Sequence, residues 1–284
     1  VKVEIQYAST YTYARRVSFS PHIFRLIPKV DQHLKVRRFE FATNRGAVVN
    51  WRRDLFDNET ASCFYPNSSN TLSAKLRLVL EVEAKNAFGF LLEPQALHVP
   101  FAYRAVETRM LAPYLAQTEP APILPFWRAP VTQRPTIDTL VELNSALHDH
   151  IAYERRDEGA ARPTSETLRL GSGSCRDFAV VLVDVLRGFG LAARHASGYL
   201  CEFGETEKRA EGSLHAWVET FLPGAGWVGM DPTNGTFCDH HHLTAAVGLT
   251  PTDIAPIAGS YYHQSEVVPH EMEATLQIIP HGHL

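Results

Sequence analysis

The chain has 284 residues, 45% of them hydrophobic, with 27 Lys and Arg against 31 Asp and Glu, a net charge of −4 and a sequence pI near 6.4. That length provides for one large domain or two of ordinary size, with a sizeable core. The mild acidity and the lack of any Lys/Arg run argue against nucleic acid or an anionic membrane as a partner, so neither is expected.

The four cysteines, Cys63, Cys175, Cys201 and Cys238, form no C-x-x-C pair. They suggest neither a disulfide framework nor a structural zinc site. A reduced, cytoplasmic location suits free thiols and is the expectation. No window approaches the roughly 18 uninterrupted apolar residues of a membrane span, and no signal peptide opens the chain at Val1.

Residues 1–93 read as a β-rich N-terminal domain. Val3, Ile5 and Tyr7 alternate with Lys2, Glu4 and Gln6. Leu72, Ala74, Leu76, Leu78, Leu80 and Val82 alternate with mostly polar neighbours, the mark of a strand with one buried face. Turn clusters such as Pro66-Asn67-Ser68-Ser69-Asn70 separate the runs, which predicts a small sandwich or barrel. Residues 94–135 hold eight of the chain's 18 prolines and read as a connector with short helical pieces. Phe126 and Trp127 would pin it to the core.

Residues 136–284 read as the chemical half. Ile137, Leu140, Val141, Leu147 and Ile151 mark one face of a helix that Thr136 or Asp138 would cap. Thr164 to Leu170 is a short helix with Ser165 or Thr164 as its expected cap. It leads into Gly171-Ser172-Gly173-Ser174-Cys175-Arg176-Asp177-Phe178, where a small-residue turn runs into an amphipathic helix. Phe178, Val181, Leu182, Val185 and Leu186 would face the core, and Gly188 and Gly190 offer stop signals. Cys175 therefore falls at the start of a helix, where unpaired N–H groups and the dipole favour the thiolate.

Ala192 to Leu200 reads as a strand, and the charged stretch Glu202 to Gly212 as a solvated loop. Ser213 to Leu222 alternates, Pro223-Gly224-Ala225-Gly226 turns, and Trp227 to Asp231 returns. The hairpin brings His215 and Asp231 onto neighbouring strands. A thiol nucleophile needs a base, and the base needs an acceptor to orient its ring. Cys175, His215 and Asp231 fill those roles in chain order. His195 is the rival base, with no Asp well placed behind it. Glu271 to Ile279 alternates as a closing strand.

Gly-Ser-Gly-Ser-Cys-Arg-Asp-Phe, His-Ala-Trp-Val-Glu and Gly-Trp-Val-Gly-Met-Asp-Pro-Thr-Asn-Gly together resemble the transglutaminase-like core of bacterial cysteine proteases and amidases. The match covers roughly Ile137 to Ala258. The resemblance implies an α+β fold, with a papain-like core whose nucleophile helix packs on an antiparallel sheet. It carries a Cys–His–Asp triad onto Cys175, His215 and Asp231. Trp51 to Asn58 weakly resembles the β-rich N-terminal region that often precedes this core, with Asp57 where Gly is expected. The usual Gly-Arg-Asp-Tyr is replaced by Gly248-Leu249-Thr250-Pro251, and His242-Leu243 stands where the family often has His-Ile.

The expected activity is thiol-dependent acyl transfer, with hydrolysis of peptide or amide bonds favoured over transfer to a lysine amine. The resemblance favours the protease-like outcome, and the expected substrate is a peptide, a protein or a small amide. A non-catalytic binding module on the same fold is the alternative from another class. No cofactor is expected. Cys238-Asp239-His240-His241-His242 contains metal-ligand types, but consecutive side chains normally diverge, so no metal site is expected there. A metal-dependent hydrolase built on these residues is the third reading.

Overall fold

A computed structural model describes residues 1–117, 122–156, 159–201, 212–264 and 267–281. Of the sequence-predicted loop Glu202 to Gly212, residues 202–211 lie outside the described residues and Gly212 opens a strand. The N-terminal strands are β1 (Lys2–Phe19), β2 (His22–Phe24), β3 (Leu34–Thr43), β4 (Val48–Arg53), β5 (Glu59–Phe64) and β6 (Ser69–Val82). They form two antiparallel sheets, one built on β1, β6 and β3, the other on β2, β5 and β4. Along β6 the six alternating residues Leu72 to Val82 are all buried. Each fully buried aliphatic side chain of this kind contributes roughly 1.5–3 kcal/mol. Ile5, Leu78 and Leu80 of one sheet meet Phe24, Ala61 and Cys63 of the other in one apolar cluster, which is the sandwich alternative. Glu4 is buried on the face of β1 opposite Val3 and Ile5, where the Arg77 guanidinium grips it with bonds of 2.7 and 3.0 Å.

Two details of this region bear on the sequence reading. Asp57 has φ +60°, the left-handed backbone that glycine adopts most readily, which explains why Gly is the natural residue there. The closing strand forms over His270–His281, but its partner is β1, in register from Lys2–His281 to Tyr13–His270. The last strand thus belongs to the first sheet. Alternation in a sequence reports a half-buried strand and carries no information about which edge it joins.

Between the sandwich and the core lie α1 (Ala105–Leu115) and the segment carrying Phe126 and Trp127. Trp127 is buried and Phe126 packs on the same cluster, as expected of residues that pin a connector. Next come α2 (Thr136–His150), α3 (Thr164–Leu170) and α4 (Cys175–Gly188). The expected side-chain caps on α2 and α3 do not form. Pro135 and Pro163 occupy the cap positions, and Thr136, the first helical residue of α2, sends its hydroxyl to Ala96 O at 2.6 Å. A proline at the cap position has no side-chain oxygen to accept the free N–H groups of the first turn.

Helix α4 lies on a five-stranded antiparallel sheet in the order Thr236–Phe237, Gly226–Asp231, Gly212–Leu222, Ala193–Cys201, His242–Gly248. Phe178, Val181, Leu182, Val185 and Leu186 are all buried, packed with Ala193, Val218, Leu222, Val228 and Met230. The helix stops as the sequence signals: Gly190 takes φ +80°, and Leu191 N–H turns back to Leu186 O at 2.8 Å. This sheet also reaches the sandwich, because Tyr199, Cys201, Leu243 and Ala245 belong to the sandwich cluster. Among the described residues no helix is long and apolar enough to cross a membrane.

Candidate active site

The start of α4 is clamped from below. Asp177, fully buried, accepts hydrogen bonds from the Ser174 N–H (2.7 Å) and hydroxyl (2.9 Å), the Arg162 N–H (2.7 Å) and the Arg156 guanidinium (2.7 and 2.8 Å). Burial pushes this carboxyl's pKa up, but the backbone N–H groups of Arg162 and Ser174 and the Arg156 guanidinium outweigh it, and the net shift is downward. Gly173 is needed for the approach, since a Cβ there would lie 2.8 Å from Asp177 Cβ. The sequence reading assigned Asp177 no role. The S-x-x-D spacing from Ser174, a capping-box pattern, was the signal available.

On this clamped turn Cys175 is half-buried, packed against Ala216, Ala246 and Ile254. Its sulfur lies in electrostatic reach of the His215 side chain and the Ala216 N–H, which both favour the thiolate. Burial disfavours the thiolate, but the His215 imidazole, the Ala216 N–H and the Arg176 guanidinium outweigh it, so the thiol is more acidic than usual.

His215 is buried, and its Nε2 lies 2.9 Å from Asp231 Oδ2, which leaves Nδ1 for the thiol. Burial works against its protonation; the Asp231 carboxylate and the Cys175 sulfur prevail and lift its pKa to about 9. Asp231 is fully buried, yet its carboxyl is held well below the ordinary range. Burial opposes this, and the bonds from His215 and His242 overcome it. Its Oδ1 accepts the Thr233 N–H at 3.0 Å and the Asn234 N–H at 3.3 Å, and its Oδ2 accepts Asn234 Nδ2 at 2.7 Å. The Pro232-Thr233-Asn234-Gly235 turn therefore fixes the carboxylate as well as ending the strand. Asn144 of α2 adds a bond to the Asp231 carbonyl at 3.2 Å. All three residues expected at the site meet there, with sulfur beside imidazole beside carboxylate.

Residues 128–232 match the transglutaminase-like superfamily, and residues 3–81 match the bacterial transglutaminase-like N-terminal region. The core that holds Cys175, His215 and Asp231 is transglutaminase-like. A crystal structure from Cytophaga hutchinsonii, described as a candidate cysteine protease, shares the fold: TM-score 0.71, 15% identity, covering 100% of this chain and 92% of that one. An uncharacterized protein of Mycobacterium tuberculosis is 30% identical over 141 residues, which are 47% of this chain and 45% of that protein. The matched stretch thus spans less than half the length of these mycobacterial relatives. A protein-glutamine gamma-glutamyltransferase of Pseudomonas aeruginosa is 38% identical over 68 residues, 22% of this chain and 10% of that protein.

Around this transglutaminase-like centre the structure adds a residue that the sequence reading left without a role. His242 opens the edge strand His242–Gly248, and its Nε2 lies 3.2 Å from Asp231 Oδ2. Burial again opposes protonation, and the bonds to Asp231 and Asp239 overcome it, so its pKa is raised. The buried Trp217 packs against both imidazoles, 6.3 Å from His215 and 5.4 Å from His242 between ring centroids. The His242-Leu243 pair, already matched to the family's His-Ile, was the available signal.

His195, the rival base, is fully interior, and burial together with the Arg187 charge drives its pKa down to about 3. It stays neutral and away from Asp231's bonding partners. Cys238 is buried with Ala196, Trp217 and Val247, and burial raises its thiol far above the ordinary range. It is not among the residues of this loop whose ligand atoms converge. The same loop corrects one expectation: ligand atoms of Asp239, His240 and His241 do converge, all within 4.8 Å of one another.

Proposed function

We propose that the protein is a thiol-dependent acyl-transfer enzyme that hydrolyses peptide or amide bonds. The observation that supports this reading is the chain of neighbours Cys175–His215–Asp231, with Cys175 half-buried and the other two buried. The Cys175 thiolate adds to the substrate carbonyl carbon. The carbonyl oxygen takes the negative charge, with the Cys175 N–H at the start of α4 as one donor to it. His215 Nδ1–H gives its proton to the leaving nitrogen as the C–N bond breaks, leaving a thioester on Cys175 and a neutral imidazole. Water then attacks the thioester while His215 accepts a proton from it. The C–S bond breaks, the acid departs, and the thiolate–imidazolium pair is restored. Asp231 holds the ring and stabilises its charged form throughout.

A peptide or protein is the substrate class that fits an amide-directed thiol; a small amide fits the same chemistry. Four free thiols suit a reducing compartment, which supports the cytoplasm as the location. The alternative acceptor is an amine, which would make the protein a transglutaminase. The short match to the Pseudomonas gamma-glutamyltransferase favours keeping that reading.

The test is product analysis by mass spectrometry on a peptide library, with and without a primary amine. Hydrolysis products that ignore the amine support the first reading, and amine adducts support the second. Labelling by an electrophilic amide-mimic probe must map to Cys175. A Cys175→Ala variant with wild-type turnover refutes both.

A further inference from the structure

We propose that Asp239, His240 and His241 bind one divalent transition ion of the zinc class, and that the ion pins the turn from which His242 reaches Asp231. Neighbouring side chains usually diverge, but here the backbone folds on itself. The His241 N–H donates to Asp239 Oδ1 at 2.9 Å, and the His242 N–H donates to Asp239 O at 3.1 Å. This tight turn swings both imidazoles toward one carboxylate. His241 Nδ1 stands 2.9 Å from Asp239 Oδ1, and His240 Nδ1 stands 4.0 Å from Asp239 Oδ2. Ligand atoms around a tetrahedral ion with bonds near 2.0 Å lie about 3.3 Å apart, and the observed spacings bracket that value. Small side-chain rotations close the rest.

The donor set selects the ion. Two imidazole nitrogens and one carboxylate oxygen suit zinc, cobalt, nickel or copper; calcium and magnesium require oxygen-rich shells. The side chains of Asp239, His240 and His241 are 30%, 25% and 33% exposed, so an ion can enter and water can complete its shell. His242 Nδ1 accepts the Asp239 N–H at 3.4 Å and lies 3.5 Å from Asp239 Oδ1, so the His242 side chain holds the base of the same turn. None of the three ligands is among the groups that act on the Cys175 thiol. The ion therefore has a structural place beside the triad and no place in the acyl-transfer steps, and the site stands whether or not that chemistry is correct.

The experiment uses the full chain carrying Cys175→Ala, which removes the half-exposed thiol as a competing ligand. Cobalt(II) is followed by its visible absorption and zinc by calorimetry and thermal denaturation. The expected result is saturable one-to-one binding of both ions, with a zinc-dependent rise in Tm, because an ion that binds the folded chain stabilises it. Adding Asp239→Ala and His241→Ala should weaken binding by more than about tenfold and abolish the Tm rise. Absence of saturable binding, or unchanged affinity in that variant, overturns the proposal. Histidine imidazole NMR on the chain with an intact cluster keeps the test independent of how the substituted chain folds. Zinc must shift the Nδ1 resonances of His240 and His241, and shifts confined to other histidines also overturn it.

Discussion

Asp231 Oδ2 is shared by two imidazoles, with His215 Nε2 at 2.9 Å and His242 Nε2 at 3.2 Å. One carboxylate oxygen thus orients the proposed base and is itself oriented by a second histidine from the edge strand. Hydrogen bonds to a charged group are worth about 1.5–3 kcal/mol. His242→Ala should therefore lower kcat/KM by about tenfold to a hundredfold with little change in KM, because the ring it orients matters most in the transition state. His242→Gln, which keeps a donor near the same place, should recover part of the loss. Steady-state kinetics on both variants, with circular dichroism to confirm folding, decides the point. Equal losses in the two would sink the orienting role.

Cys175→Ala should abolish turnover while leaving the fold intact, since the side chain is half-exposed and the replacement smaller. Cys175→Ser should be nearly as inactive, because a hydroxyl does not ionise in reach of this imidazole. Burst-phase thioester accumulation, read by intact-protein mass spectrometry, should vanish in both.

The pH dependence has two limbs. The Cys175 thiol is shifted downward, so iodoacetamide alkylation should persist below the pH at which an ordinary thiol falls silent. The His215 imidazolium survives to about pH 9, so acyl transfer should decline as pH rises through that value. Asp231→Asn removes the charge that raises His215. The alkaline limb should then move to lower pH, and kcat should fall on the order of a thousandfold or more. An unmoved limb in this variant would contradict the assigned coupling.

The same groups tie stability to pH, with opposite signs. His215 has a folded pKa above its unfolded value of about 6.5, so its stabilising contribution is full below that pH and is lost as pH rises toward 9. Asp231 and Asp177 are shifted downward, so their contributions are present above the unfolded carboxylate pKa of about 3.9 and are lost as pH falls below it. Thermal denaturation against pH should therefore give maximum stability between these windows. Asp177→Ala leaves the Arg156 guanidinium without its buried partner and should cost about 3–5 kcal/mol, read as a fall in Tm and in denaturant midpoint.

Much of this was legible before any coordinates. The alternation along Leu72 to Val82 gave a half-buried strand, and all six residues are buried. The apolar spacing after Cys175 located the helix that Cys175 opens and its glycine stop. The hairpin of His215 and Asp231 followed from alternation and turn residues. Other features were not legible for physical reasons. Alternation names no partner, so the attachment of the last strand to β1 was invisible. The helix caps at Thr136 and Thr164 failed because both residues are already the first of their helices, with a proline in the cap position. The closeness of His242 to Asp231 arises from a sheet edge meeting a turn, a three-dimensional event with no local sequence period. The convergence of Asp239, His240 and His241 depends on one tight turn that overrides the usual divergence of neighbours.

Lys2 stands across from His281, so β1 finds this neighbour in a strand far downstream of it in sequence. During synthesis the sandwich stays one ladder short, with an open edge along β1, while helix α4 with Cys175 and the sheet of His215 and Asp231 are already emerging. A stop codon placed before His270 would leave every residue of the proposed chemistry in the product, yet strip β1 of this partner from Lys2 to Tyr13.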